Sequence, residues 1–410
     1  MRLLVSTFGS AGDVFPMLGL ALALRGRGHV VTFATNPYFE EPVRRHGFDF
    51  EPLGTAAQFE DTIRDPGLWK PRTGFRTVLD RLGDAIRQQY TLHEKLRLPG
   101  VTNVFGFGAL TAREKLGLPV VSVHLQPSVI WSNVVPPDFA GLAGPLWLRR
   151  LLYAAGIRFF AHPTVARSLN PWRAELGLGP LPRVDRWWHS PDGVVGLFPD
   201  WFGPPQPDWP PGVVLTDFPL WNDGTADGLP ADLAAFLDAG EPPLAFTPGS
   251  ANVHGRAFFA AAVDAAQRLG RRALLLTRFP EQLPAALPPG VRHVTYAPLD
   301  VLLPRTAAFV HHGGVGSMSQ ALAAGTPQLV MPLAHDQFDN LARAVRLGVG
   351  EGLAVKRFTG RRVAAALARL LGSAEVASAC RAVAAKLTVR DGLARSAAAV
   401  ERLITARNPG

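Results

Sequence analysis

Short apolar runs alternate with helical stretches at both ends of the chain. Residues 2–8, RLLVSTF, are a run of strand formers followed by the turn GSAGD. PMLGLALALRGRGH then has proline at a first helical position and glycine near its end, which predicts a helix starting near Pro16. HVVTFAT reads as the next strand, YFEEPVRRHG as a short helix and FDFEPLG as a third strand. The second half repeats the scheme. PPLAFTPGS, RRALLLT, VRHVTYAP, AFVHHGG and TPQLVMPL read as strands, and RAFFAAAVDAAQRLG, LDVLLPRTA, SMSQALAAG and NLARAVRLG as helices between or after them. Strands and helices at this spacing predict an α/β fold with parallel sheets covered by helices.

At 410 residues the chain exceeds one comfortable core, so two domains are expected. The two α/β halves flank a middle region, about residues 135–240, rich in proline and tryptophan, and turn formers over 218–232, FPLWNDGTADGLPAD, mark the expected linker. The expected division is 1–219, 220–388, and a C-terminal helix in 389–410 that packs back on the first domain. Ligands of open parallel sheets bind beyond the C-terminal strand ends. FGSAGD, TPGS, YAPL and HHGGVGS all leave such ends.

Composition narrows the function classes. With 47% apolar and 18% charged residues the chain reads as globular. The net charge of +9 suits an anionic ligand or a membrane surface, but the arginines are scattered without a basic tract, which argues against nucleic acid. Cys380 is the only cysteine, so an internal disulfide and a cysteine-rich zinc site are excluded. MRLLVSTFGSAG opens as a strand and turn without a long apolar signal core, and no stretch approaches the roughly 18–20 apolar residues that span a bilayer. A cytoplasmic protein, with peripheral contact to the inner membrane, is the expectation.

Three loops carry candidate chemistry. In HHGGVGSMS, Gly313, Gly314 and Gly316 admit a ligand close to backbone amides, and Ser317 stands where a helix cap is expected, so free amides and the helix dipole face an anion. His312 can donate to a phosphate oxygen and, when protonated, balance leaving charge. The same loop also reads as a glycine turn with a packed histidine. Asp336 and Gln337 form a carboxylate–amide pair able to grip vicinal sugar hydroxyls, or a plain helix cap. Asp13, in a glycine turn ahead of a helix, is either a general base or a cap, and the helix N-terminus would lower its pKa unless desolvation by an apolar acceptor opposed it.

The segment from Tyr296 through Asn340 resembles the donor-binding signature of the family 1 nucleotide-sugar glycosyltransferases, and GSAGDVFP resembles their bacterial and sterol branch. DPGLWKPRTGF, WWHSPDGVVGLFPDWFGPPQPDWP and AHDQFDN resemble more closely the rhamnosyltransferases of rhamnolipid biosynthesis. The resemblance implies a GT-B fold, two Rossmann-like domains with parallel sheets facing an interdomain cleft. It implies metal-independent inverting transfer, with a nucleotide-diphosphate sugar as co-substrate and no cofactor. Asp13 would be the catalytic base, and Gly12, Ser250, Tyr296, Pro298, His312, Gly314, Gly316, Ser317, Gln320, Asp336 and Gln337 would hold the donor, Tyr296 stacking on the pyrimidine. Gln320 stands where many uridine-using relatives have glutamate, and Leu299 where a glutamine is common, which tilts the expected donor toward thymidine diphosphate rhamnose over uridine diphosphate glucose. A sugar-nucleotide epimerase is the alternative from another class.

The acceptor is expected to be a hydroxylated hydrophobic molecule, flavonoid-like or a hydroxy-fatty-acid lipid. Phe15, Trp69, Phe107 and Trp131 are its candidate contacts, and Phe75, Phe105 and Phe139 are further aromatic residues of the same half. PLWLRRLLYAAGIRFF places Trp147, Leu151, Leu152, Ala155 and Phe159 on one helical face flanked by Arg149 and Arg150, which suits a membrane, an acceptor lid or the domain's own core.

Overall fold

The computed structural model describes residues 1–70, 73–139, 144–223 and 228–407. The chain divides into two compact units, Met1–Pro219 with Asp391–Gly410, and Leu220–Arg390. Each is built on one all-parallel sheet. The first contains β1 (Arg2–Ser6), β2 (Val30–Thr35), β3 (Asp49–Pro52), β4 (Gly100–Thr102), β5 (Val120–His124), β6 (Val194–Gly196) and β7 (Val214–Leu215), in the order β3-β2-β1-β4-β5-β6-β7. The second contains β8 (Leu244–Thr247), β9 (Ala273–Leu276), β10 (Val291–Val294), β11 (Ala308–His311), β12 (Gln328–Val330) and β13 (Gly350–Gly352), in the order β10-β9-β8-β11-β12-β13. Two α/β units, each on one all-parallel sheet, are the architecture that the resemblance leads one to expect.

The strand order reverses between β1 and β4 in one sheet and between β8 and β11 in the other. At a reversal, neighbouring crossovers leave toward opposite faces of the sheet, so a crevice opens at the strand ends. FGSAGD follows β1, TPGS follows β8 and HHGG follows β11, so three of the four singled-out loops stand at reversal points. Both sheets are covered on their faces: β5, β9 and β11 are buried throughout, and β1 and β8 except at Arg2 and Thr247.

Two local expectations are corrected. The first helix runs Ala11–Gly26, five residues earlier than the proline signal suggested. Ser10 and Asp13 form a reciprocal capping box that starts the helix inside the glycine turn, and Pro16 falls in its second turn. The proline- and tryptophan-rich stretch does not stand apart between the units: up to Pro219 it supplies β6, β7 and their helices to the first sheet.

The helix Gly392–Arg407 belongs to the first unit and packs on Ala11–Gly26. Ser396 Oγ and Thr216 Oγ1 share a hydrogen bond of 2.7 Å, Arg27 Nε donates to Glu401 at 2.7 Å, and Arg407 Nε reaches Asp192 at 3.2 Å. A Cβ on Gly392 would lie 2.6 Å from the Phe218 carbonyl oxygen, so the return of the chain depends on a residue without a side chain there. Ala397, Ala399, Val400 and Ile404 bury the inner face. Ile404→Ala is expected to destabilise the first unit by about 2–4 kcal/mol, read as a lower urea midpoint of its unfolding transition.

Candidate functional site

In the first unit the loop after β1 is shaped by one glycine. Gly9 has φ +119, and a Cβ there would lie 2.3 Å from Asp13 Oδ2, so glycine lets the carboxylate fold beneath the turn. Ser10 N–H donates to Asp13 Oδ2 at 2.9 Å and Ser10 Oγ at 3.3 Å. Asn103, just past β4, clasps the same loop: its Nδ2 donates to Phe8 O at 2.7 Å, and its Oδ1 accepts from Phe8 N at 3.3 Å. Asn103 is buried and carried no signal in the sequence.

Desolvation raises the Asp13 pKa to about 6, overcoming the two hydrogen bonds from Ser10 that favour the anion. The protein's own packing supplies the opposition to the helix N-terminus that sequence reasoning had assigned to an acceptor. All recorded hydrogen bonds to Asp13 fall on Oδ2, leaving Oδ1 to receive a proton. Asp13 is thus both the N3 partner of a capping box and a carboxylate poised near neutrality, and the two readings of its role are compatible. Gly12 lies beside it in the first turn, exposed, its N–H donating to Ser10 Oγ at 3.3 Å.

In the second unit three loops meet around His312. A Cβ on Gly249 would come 2.8 Å from the imidazole Cε1, and one on Gly314 would come 2.6 Å from Nε2, so the ring lies between two glycines of different loops. Ser250 is exposed in the next position of the first loop. Gly313, at φ +94, packs on the third loop, where its Cβ would lie 3.2 Å from Gln337 O. Asn340 Nδ2 ties the second and third loops by donating to Gly313 O at 2.9 Å and to Asp336 Oδ2 at 2.6 Å.

The helix after HHGG runs Val315–Ala324 with Gly314, not Ser317, as its N-cap, and no side-chain cap hydrogen bond is made. Gly314 is extended (φ −60, ψ 140), so the cap lies three residues sooner than Ser317, and Gly316 and Ser317 occupy the first turn. No atom lies within 4 Å of a Cβ built on Gly316. Uncapped first-turn amides beside open space are an arrangement to which an anion can bind.

His312 differs from expectation in charge. Desolvation chiefly, and His335 next, lower its pKa to about 4, so at neutral pH it acts through hydrogen bonding as a neutral imidazole. His335 was not singled out by sequence reasoning. It is a non-glycine residue in the left-handed region (φ 56), where strain is sustained by surrounding structure. His311 was also missed. Gly313 N–H donates to its Nδ1 at 3.1 Å, so its Nε2 carries the proton and donates to Gln328 Oε1 at 3.0 Å, which fixes the glycine turn.

The remaining donor candidates are placed individually. Gln337 is buried, and its Oε1 accepts from Leu333 N (2.7 Å) and Ala334 N (3.1 Å), so its amide N–H₂ is the end left for a ligand. Asp336 occupies the N-cap position of Gln337–Arg346 but bonds Asn340 instead of capping. Among the described residues, Gln320 Oε1 is buried with no hydrogen-bond partner, an acceptor suited to a hydroxyl. Tyr296 is exposed after β10, its hydroxyl donating to Asp223 O and its ring 5.8 Å from the Arg278 guanidinium. Pro298 caps the short helix Leu299–Leu302.

Of the acceptor candidates, Phe107 is corrected: it is fully buried in the first unit's core, edge-on to Trp188 at 5.0 Å. It sits at the first position of a helix whose inner face packs the core. Trp131, Phe75 and Phe105 are partly buried around Trp188, with ring centroids 4.9, 5.9 and 6.1 Å away. Phe15 is partly buried against Phe39 at 6.3 Å, and Trp69 Nε1 donates to Ile63 O at 3.4 Å.

Comparison with known proteins sets the chain among glycosyltransferases. Residues 3–82 match the glycosyltransferase family 28 N-terminal domain, and residues 274–399 the erythromycin biosynthesis protein CIII-like C-terminal domain. The chain is 30% identical to glycosyltransferase GtfC of Amycolatopsis orientalis over 97% of its own length and 96% of that protein. It is 30% identical to O-mycaminosyltylonolide 6-deoxyallosyltransferase of Streptomyces fradiae over 85% and 84% of the two chains. Spinosyn rhamnosyltransferase SpnG complexed with thymidine diphosphate shares the fold at a TM-score of 0.68 and 22% identity, covering 98% of this chain and all of that one.

Gly314→Ala forces the His312 ring aside while leaving the sheet intact. It is expected to weaken thymidine diphosphate binding by about tenfold or more in calorimetry, ~1.4 kcal/mol, with little change in thermal midpoint. Because His312 is neutral above about pH 4, its own NMR resonances are expected to stay flat between pH 5.5 and 8.

Proposed function

The chain belongs to the family 1 glycosyltransferases of GT-B fold, metal-independent inverting enzymes related to those of bacterial natural products, and from that premise we propose that it moves rhamnose from thymidine diphosphate rhamnose to a hydroxyl of an apolar acceptor. The observation that carries the reading is the meeting of three loops of the second unit around His312, beside an uncapped helix N-terminus. Charge develops on the diphosphate as the glycosidic bond breaks. Oriented amides and the His312 N–H stabilise it without reorganising, which is the favourable arrangement for a leaving anion.

In this reading Asp13 accepts the acceptor's proton as its oxygen bonds to the anomeric carbon, from the face opposite the departing diphosphate. Asp336 and the Gln337 amide hold the sugar. Buried Gln320 Oε1 accepts from the remaining hydroxyl of a deoxyribose, and a single acceptor atom matches thymidine better than a ribose with two hydroxyls. A 6-deoxysugar is consistent with the name of the Streptomyces fradiae relative, and thymidine diphosphate with the ligand in the SpnG complex. Partly buried Trp131, Trp69, Phe75 and Phe15 supply apolar surface for the acceptor, and a hydroxy-acyl lipid fits the resemblance to the rhamnolipid enzymes.

Two measurements test the assignment. Thermal shift and turnover are compared for thymidine diphosphate rhamnose and uridine diphosphate glucose, with hydroxy-acyl lipids and flavonoids as acceptors. Stabilisation by the thymidine donor and sugar transfer to the lipid are expected, whereas preferential stabilisation by uridine diphosphate glucose would overturn the donor choice.

The second measurement concerns Asp13. Its ionised form is the base, so kcat/KM is expected to rise with pH through about 6 and then level. Its folded-state pKa is raised, so its stabilising contribution is full below about pH 4 and lost as pH rises through about 6. Asp13→Asn is therefore expected to lose about a hundred- to ten-thousand-fold in turnover. The same variant gains stability over wild type above pH 7, by about 1–3 kcal/mol, with no gain near pH 4.

A further inference from the structure

The helix Leu146–Gly156 and the π-turn Ile157–Ala161 that continues it carry a face that the glycosyl-transfer reading does not use. Tyr153 and Ile157 anchor the inner side in the core of the first unit. On the opposite side, Trp147 and Leu151, one turn apart, are 66% and 61% exposed, and Phe159 is 74% exposed. Leu152 and Phe160 extend the patch. More than half of the exposed large apolar side chains recorded among the described residues lie between Val135 and Phe160. Soluble surfaces seldom gather apolar side chains this way without something to cover them.

The patch is held in place. Arg149 donates to Pro136 O at 3.0 Å and pairs with Asp138 at 2.7 Å, while Arg150 reaches Val134 O through Nε and Nη2 at 2.9 and 2.6 Å. The segment before the helix is thereby strapped to it, and Phe139 stacks on Tyr153 at 6.1 Å. Charge identifies the occupant. From Phe139 through Ala174 the chain has no aspartate or glutamate. Arg150, Arg158 and Arg167 are exposed along this stretch, and none of them forms an ion pair with a carboxylate among the described residues. The Arg158 guanidinium lies 5.7 Å from the Phe159 ring centroid, cation beside apolar surface.

We propose that this face docks the protein on a bilayer surface carrying anionic headgroups, with Trp147, Leu151 and Phe159 seated at the boundary between headgroups and acyl chains and the arginines among the phosphates. An apolar face bordered by cations, its one acid Asp138 neutralised by Arg149, is the pattern that binds such an interface. Among the described residues no single helix is long and apolar enough to cross a membrane, so the contact is peripheral. The docking does not depend on which sugar or acceptor the enzyme uses.

The test is co-sedimentation of the full chain with phosphatidylcholine vesicles, with and without phosphatidylglycerol as about a third of the lipid. Binding to the anionic vesicles is expected, falling about tenfold as salt is raised severalfold and the headgroup charge is screened. The double variant Leu151→Asp, Phe159→Asp is expected to lose about tenfold or more of the partitioning, with an unchanged thermal midpoint and unchanged turnover of a water-soluble acceptor. Asp13→Asn is expected to bind vesicles as the wild type does, so failure of the catalytic reading leaves this result standing. Equal partitioning of wild type and double variant, or none by either, would overturn the proposal. So would a stable dimer dissolved by the double variant in sedimentation velocity, which would assign the face to a second copy of the chain.

Discussion

The site rests on a topological constraint. Parallel strands are joined by crossovers of one hand, and where strand order reverses, adjacent crossovers part to opposite faces of the sheet. The two reversals here are β1 beside β4 and β8 beside β11, the positions at which such parting opens a crevice at the strand ends. Glycines then shape each gap. Gly9 lets the Asp13 carboxylate tuck under its turn, and Gly249 and Gly314 leave room for the His312 ring between them. Side chains at these positions would occupy the space that the functional groups fill.

Desolvation then acts on both halves in the same sense. It disfavours charge, raising Asp13 to about 6 and lowering His312 to about 4. The loops around His312 therefore present neutral dipoles: uncapped amides of the Val315–Ala324 helix, a neutral imidazole and side-chain amides. Such dipoles are fixed by the fold, and they need not exchange a counter-ion when the diphosphate departs. The carboxylate in the other unit is easily ionised near neutrality yet remains a stronger base than an ordinary aspartate, which suits proton abstraction from an alcohol.

The fold class was legible from alternating strand and helix patterns because burial of a parallel sheet on both faces demands continuous apolar runs. The loops were legible because glycine clusters at strand ends have few other uses. Helix starts were less so. Proline at position 16 looked like a first helical residue, but the Ser10–Asp13 capping box began the helix earlier, and Ser317 looked like a cap although extended Gly314 held that place. Propensity marks where a helix is permitted, and hydrogen bonding of the first amides decides where it begins. Phe107 shows the same limit for side chains: an aromatic residue near a strand end reads alike whether it faces a ligand or the core.

The sequence by itself determined the two α/β units and singled out the reversal-point loops with Asp13, His312, Asp336 and Gln337 as candidates, because these depend on local periodicity and on residue types with few substitutes. Only tertiary structure decided which groups are neutral, that Asn103, Asn340 and His311 lock the loops, and that the helix Gly392–Arg407 completes the first unit. Those outcomes depend on contacts between residues far apart in the chain and on how much water they exclude, and neither quantity is written in any short stretch of residues.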